Sequence, residues 1–214
     1  RWIVALFVLT SRATADTVPE YVGSSSCAAS TCHGGPIDRG PDWNHSYSTW
    51  FMHDPHATAG SLLRNEQSRR IVTRMEPAAA ESELAYDQTL RRRCIACHTT
   101  ASAAQCDGDG PVGDRLIGAG VACESCHGPA AKWLEPHVRE SWAGPERFQS
   151  ARGFRDNESI DQRAETCVRC HVGSRTSDGV IRDVNHDMIA AGHPPLRFDF
   201  LIYNESLPKH WDVA

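Results

Sequence analysis

A chain of 214 residues, with 40% hydrophobic but only 7% aromatic residues, is long enough for one domain. It is thinly supplied for a conventional core, so something else must provide buried apolar surface. A formal net charge of −5, with no basic run longer than Arg91-Arg92-Arg93, excludes nucleic acid as a natural partner.

The chain opens with a charged residue, Arg1, and an apolar run from Trp2 to Leu9. Ala13-Thr14-Ala15 then reads as a cleavage site before Asp16. Residues 1–15 thus resemble a secretory signal, too short to span a bilayer, which takes about 20 residues. The segment is either removed or retained against the domain formed by residues 16–214, and membrane contact is expected only if it is retained. Next comes a first Cys-His cluster, Cys27 to His33, followed by an aromatic, His-rich stretch from Trp43 to His56. Residues 61–76 predict an amphipathic helix through Leu62, Leu63, Ile71 and Met75 that stops at Pro77. Residues 78–93 predict an Ala-rich helix leading directly into Cys94, and the Gly- and Asp-rich residues 99–121 read as loop. Asp161 is the candidate cap of a helix running into Cys167. From Asp183 to Trp211 the prolines predict irregular structure, with a partial alternation from Leu196 to Tyr203 that could pair as a strand. The expected fold is mainly α with extensive loops and little or no β-sheet.

Nine Cys and eleven His stand well above ordinary usage, and the odd cysteine count argues against a simple disulfide framework. Three segments repeat C-x-x-C-H: Cys94 to His98, Cys123 to His127 and Cys167 to His171. This is the c-type haem attachment motif. Two thiols add across the two vinyl groups of one porphyrin, and the following His ligates the iron. At these residue frequencies chance supplies roughly 0.02 such matches. The cluster Cys27-Ala28-Ala29-Ser30-Thr31-Cys32-His33 is a longer C-x4-C-H that keeps the Cys-His pair, with a single-thioether site or a disulfide through Cys27 as its alternatives. Zinc sites also use paired cysteines, but zinc gives no reason for a His after every second Cys. A thioredoxin-like C-x-x-C is expected once, in a βαβ setting that is not visible here. The expected cofactors are therefore four covalent haem c groups, wrapped by the chain as its core. The proximal His are separated by 65, 29 and 44 residues, so the fold is not a tandem repeat. The ninth cysteine, Cys106, is either a free thiol or a bridge to another subunit. Beside it, Asp107 and Asp109 form a weak candidate Ca2+ site that lacks the remaining positions of an EF-hand.

With His33, His98, His127 and His171 as proximal ligands, seven His remain: His45, His53, His56, His137, His186, His193 and His210. Met52, Met75 and Met188 lie in no convincing ligand loop, so the sixth ligands are expected from His. Two His per iron imply low-spin, low-potential, poorly reactive centres.

The chain resembles the tetrahaem cytochrome c-554 family over about residues 21–200. Trp50 followed by His56-Ala57-Thr58-Ala59 is similar to the family's segment after its first haem. Cys123 to Pro129 with His137 beyond is similar to the family's third-haem segment, and Asn185 to Pro194 resembles a late distal-His segment of larger relatives. By that resemblance His137 would ligate the first iron, His56 the fourth, and one of His193 or His186 the third. The second iron lacks a sixth ligand in the namesake proteins; here His186, His53 or His45 is available for it. The resemblance further implies a secreted electron carrier with haems in closely stacked pairs.

Four haems in one small domain must lie close together, which makes a wire rather than a reaction chamber. The expected function is electron transfer by a periplasmic or extracellular protein, exchanging with redox partners or an extracellular acceptor. Residues 1–15 and Cys106 would suit self-association into a conductive filament. The competing reading is a haem oxidoreductase acting on a small nitrogen or sulfur compound at one open iron. A third is a haem domain belonging to a larger enzyme or membrane complex.

Overall fold

The computed structural model describes residues 20–100, 117–139, 142, 152–175 and 181–211. The signal-like segment, Cys106 and the Asp107/Asp109 pair lie outside the described residues.

Short helices and turns dominate, as expected of the composition. α1 (Ser46–His53) follows a 3-10 turn at Asp42–His45 and buries Thr49 and Trp50. The Trp50 indole N–H donates to the Val121 carbonyl at 3.0 Å and ties this helix to the middle of the chain. The predicted helix over 61–76 is two pieces: a 3-10 turn at Ser61–Arg64, then α2 (Glu66–Met75). The break falls at Asn65, whose side chain accepts the Ser68 N–H at 2.7 Å; the amide does more as a cap than as an interior helical residue. The next predicted helix likewise begins late. Ser82 caps α3 (Glu83–Arg93) after a 3-10 turn at Pro77–Ala80. α3 runs into Cys94, where the backbone turns before α4 (Ile95–His98).

The apolar core is small. Leu63, Val72, Ala79, Tyr86, Leu90, Ile95 and Ile117 form one buried cluster with Cys94 packed against it. The Tyr86 hydroxyl donates to the Leu63 carbonyl at 2.6 Å, and Arg64 pairs with buried Asp87. Much of the remaining described chain is arranged around a cavity. α5 (Cys123–His127) ends at Gly128, where φ is +84° and a Cβ would stand 2.0 Å from the Gly153 carbonyl oxygen, so only glycine fits. Gly120 is equally constrained: with φ +57°, a Cβ there would lie 2.5 Å from the carbonyl oxygens of His56 and Ala57.

α6 (Ile160–His171) is capped by Ser159 rather than Asp161, which lies in its first turn. A two-stranded antiparallel pair follows, β1 (Ser174–Arg175) with β2 (Ile181–Arg182), in register Ser174 to Arg182. The tail is more regular than its prolines suggest. Asn185 caps α7 (His186–Ala191), which packs on α2, and Asp199 caps α8 (Phe200–Ser206). The partial alternation from Leu196 to Tyr203 therefore ends in helix, because the Asp199 cap supplies a helix start that a strand could not use. The fold is mainly α, and among the described residues no helix is long and apolar enough to cross a membrane.

Glu124 joins three separate segments. Its carboxylate is 1% exposed and accepts N–H bonds from Val22 (3.0 Å), Gly23 (2.8 Å) and Ala130 (2.7 Å). Replacing Glu124 with Ala removes the acceptor from one buried amide and two partly buried ones. A loss of about 3 kcal/mol in unfolding free energy is expected, measurable by urea denaturation, with Glu124→Gln losing less.

Candidate haem-binding cavity

The local structure explains the motif spacing. α4, α5 and α6 each end on the motif histidine: His98, His127 and His171. On a helix, residues three and four apart share a face, so Cys, Cys and His at i, i+3 and i+4 point the same way. The longer first cluster reaches a similar result by turns. Cys27 ends a 3-10 turn, and Cys32 and Gly34 both donate N–H bonds to the Ala29 carbonyl before His33. All eight described cysteines are free of disulfides.

These groups converge on one cavity of about 750 Å3, in the upper part of the roughly 300–1,000 Å3 range of ligand sites. Seven of the eight motif cysteines line it. Cys94 opens instead onto an adjoining space of about 90 Å3, shared with Cys97, His98 and His193. Eight histidines line the main cavity: the four motif residues together with His56, His137, His193 and His210.

Three pairs among them lie at nearly one distance. Ring centres are 6.1 Å apart for His33 and His137, 6.0 Å for His56 and His171, and 6.3 Å for His98 and His193. Two imidazoles on opposite sides of a metal lie about 2.0–2.1 Å from it, which with about 1.1 Å from nitrogen to ring centre gives a span of about 6.3 Å. The interplanar angles are 17°, 82° and 90° respectively. His127 is the remaining motif histidine. It is stacked on Phe154 at 6.4 Å, and its principal electrostatic neighbour is His210.

Hydrogen bonds leave the far ring nitrogen of these side chains available. Nδ1 of His33 lies 2.6 Å from the Trp43 carbonyl, that of His98 2.9 Å from Ala59, that of His193 2.8 Å from Pro194 and that of His210 3.1 Å from Pro208. Nδ1 of His137 bonds the Leu134 carbonyl. A carbonyl oxygen only accepts, so each of these Nδ1 atoms carries the ring proton and Nε2 keeps its lone pair. His56 differs: its Nδ1 donates to the Asp54 carboxylate at 2.8 Å. Burial drives His127 down to about 4 and also lowers His98, His171 and His210, which favours the neutral donor form. Asp54 raises His56 instead.

The thiols show which motifs are neighbours. The Cys27 and Cys123 thiols lie close enough to perturb each other, as do those of Cys97 and Cys170. Cys126 lies within electrostatic reach of Cys167 and Cys170. Thiol proximity therefore runs from the first motif to the third and from the fourth to the second, with the third and fourth within electrostatic reach of each other.

The donor set fits haem. Paired thiols, paired imidazoles at the two-ligand span and a shared apolar space match what a thioether-linked porphyrin requires. The Trp133 indole, on the cavity wall and 7% exposed, has a buried N–H for which no described residue supplies an acceptor. No group of three or more His, Cys, Asp or Glu among the described residues could hold a bare metal ion.

Three spare histidines lie elsewhere. His45 is buried with its nitrogens taken by Thr49 Oγ1 at 3.1 Å and Asp42 Oδ1 at 3.5 Å, while His53 and His186 are exposed and do not line the cavity. His193 stands beside the second motif histidine, not the third. His210 is the cavity histidine that sequence reasoning did not select. Nothing in its local sequence separates it from His186; the placement of the tail after α8 does.

A family model described as cytochrome c554 and c-prime matches residues 26–128, a stretch that contains three of the four motifs and stops one residue beyond His127. No curated protein and no solved structure matches the chain. With haem-attachment motifs opening into one cavity and this match across three of them, the chain is a c-type cytochrome that carries electrons on covalent haem c, similar over residues 26–128 to the cytochrome c554 and c-prime family.

Proposed function

We propose that the chain is a tetrahaem electron conduit of the periplasm or cell exterior, each iron held by two histidines. The observation that carries this reading is the set of eight histidines on one cavity, three pairs of which stand 6.0–6.3 Å apart. Haem, when bound, supplies a one-electron ferric/ferrous couple. The residues do the rest. Cys27 and Cys32, Cys94 and Cys97, Cys123 and Cys126, and Cys167 and Cys170 anchor the four groups. His33 with His137, His98 with His193, His171 with His56, and His127 with His210 would hold the four irons between them. The proximity of thiols between motifs supports a continuous array in the order first, third, fourth, second. Two imidazoles per iron favour low potentials and exclude small molecules from the metal, and the apolar walls limit water. The acidic chain and the haem propionates together favour a redox partner with a basic docking face, or an extracellular acceptor.

The competing reading, an oxidoreductase for a small nitrogen or sulfur compound, needs an open iron. The position of His193 beside His98 argues against one at the second motif, the site left open in the namesake proteins. The filament variant drew its support from residues 1–15 and Cys106, which lie outside the described residues, and the proposal therefore concerns the single chain.

Pyridine haemochrome quantitation is expected to return four haems per chain, and absorption spectra of the oxidised protein to be wholly low-spin. A high-spin component in the native protein would favour the enzyme reading. The ring angles add a finer test. Perpendicular imidazoles leave two iron d orbitals nearly degenerate and parallel ones split them. EPR should therefore show the strongly axial low-spin type for the 82° and 90° pairs and the rhombic type for the 17° pair. His210→Ala is expected to turn one haem of the four high-spin and leave three unchanged; an unaltered spectrum would mean that another residue serves His127.

A further inference from the structure

Among the six cavity histidines whose Nδ1 has a partner named above, five donate to backbone carbonyls and one, His56, to a carboxylate. Asp54 is 7% exposed. Its Oδ1 also accepts the His56 backbone N–H at 2.9 Å, and its own N–H is bonded to the Trp50 carbonyl at 3.0 Å. The carboxylate is thus held at the end of α1, with Pro55 following, and cannot swing away from the ring. A carboxylate draws the Nδ1 proton more strongly than an amide carbonyl does, which makes Nε2 a better donor. A stronger donor, together with a buried negative charge nearby, stabilises ferric over ferrous iron.

Positive groups are present too: Arg163 and Arg169 lie within electrostatic reach of the fourth-motif thiols. Both are farther from the His56 ring than Asp54, which is bonded to it, and Arg169 is paired with Glu165 at 2.9 Å. The Arg182 guanidinium bonds the Ala96 carbonyl at 2.8 Å and lies near both Cys97 and Cys170, so it acts on the second and fourth motifs together. Arg155 is within electrostatic reach of Cys126 at the third motif and favours the ferrous state there.

We propose that Asp54, acting through His56, makes the haem between His171 and His56 the lowest-potential centre of the four. The inference rests on the ligand pairing proposed above. Thiol proximity puts the fourth motif between the second and third, so this centre lies inside the array rather than at its end. It would be the last to fill on reduction, dividing the first and third sites from the second.

The test is a redox titration of the purified holoprotein followed by absorption and EPR, with Asp54→Asn and Asp54→Glu. Asn keeps the shape and an acceptor oxygen but removes the charge. The expected result in Asp54→Asn is an upward shift greatest at the lowest midpoint, with four low-spin haems retained. A smaller shift is expected at the His127 centre, whose His210 and Cys126 also feel the Asp54 charge. Asp54→Glu is expected to give midpoints near native. Four low-spin haems with all midpoints unmoved in Asp54→Asn would overturn the role of Asp54 while leaving the tetrahaem reading intact. A high-spin haem or a lost haem in Asp54→Asn, with Asp54→Glu normal, would also overturn it, since Asp54 would then hold His56 in place rather than set its donor strength. Fewer than four haems in the native protein would instead remove the tetrahaem reading itself.

Discussion

An imidazole is fixed in tautomer and direction for iron when the proton on its other nitrogen has a partner. That condition governs much of this structure. Trp43, Ala59, Leu134, Pro194 and Pro208 contribute no side-chain chemistry to the cavity, yet their carbonyls set the tautomer and the direction of five rings. The acceptors are backbone atoms in turns and loops, which helps to explain why a chain rich in short elements suits this task. A long helix satisfies its interior carbonyls within itself, whereas turns leave carbonyls free to meet histidine protons.

The second consequence concerns the core. One cluster around Tyr86 and Leu90 is built in the ordinary way, and it anchors the second motif through Ile95 and Cys94. Apart from α7, which packs on α2, the other described helices face a cavity rather than one another. Four porphyrins placed there would supply the apolar surface that the composition lacks. Polar ties then hold the surrounding segments in place. Glu124 binds residues 22–23 to the loop after His127, and Arg155 N–H to His127 O at 2.9 Å binds the segment before α6 to the same helix end. Loss of either tie would act on the cavity's shape as much as on stability.

How much of this could be read from the chain divides along a physical line. Attachment chemistry is local: two thiols and an imidazole within five residues are dictated by one helical turn, so the C-x-x-C-H segments and the helices leading into Cys94 and Cys167 were legible. Helix ends were less so, because Asn65 and Ser82 compete as caps with the propensities around them. The juxtapositions of His56 with His171 and of His137 with His33 follow what the family resemblance implied; neither could be derived from spacing. The others were hidden. His186 and His193 lie seven residues apart in one segment, and what separates them is that α7 packs on α2, leaving His186 in solvent and His193 beside His98. His210 was obscured for the same reason, since its position depends on how the tail folds back after α8.

The geometry also bears on why a cytochrome of this kind would close its second iron. An open iron gives reactivity, but a conduit gains from having none, since any ligand that binds one oxidation state shifts its potential and stalls transfer. On the proposed pairing, His193 beside His98 would remove that liability, at the cost of any chemistry there. Once every iron is closed, the remaining means of distinguishing one centre from another are the groups behind the ligands and the charges around them. Five backbone carbonyls and one carboxylate are an uneven set, and the unevenness lies at the fourth motif, whose thiols adjoin both the second and the third. Direction in such an array would therefore come from the partners of the imidazole protons rather than from the irons' own ligand sets.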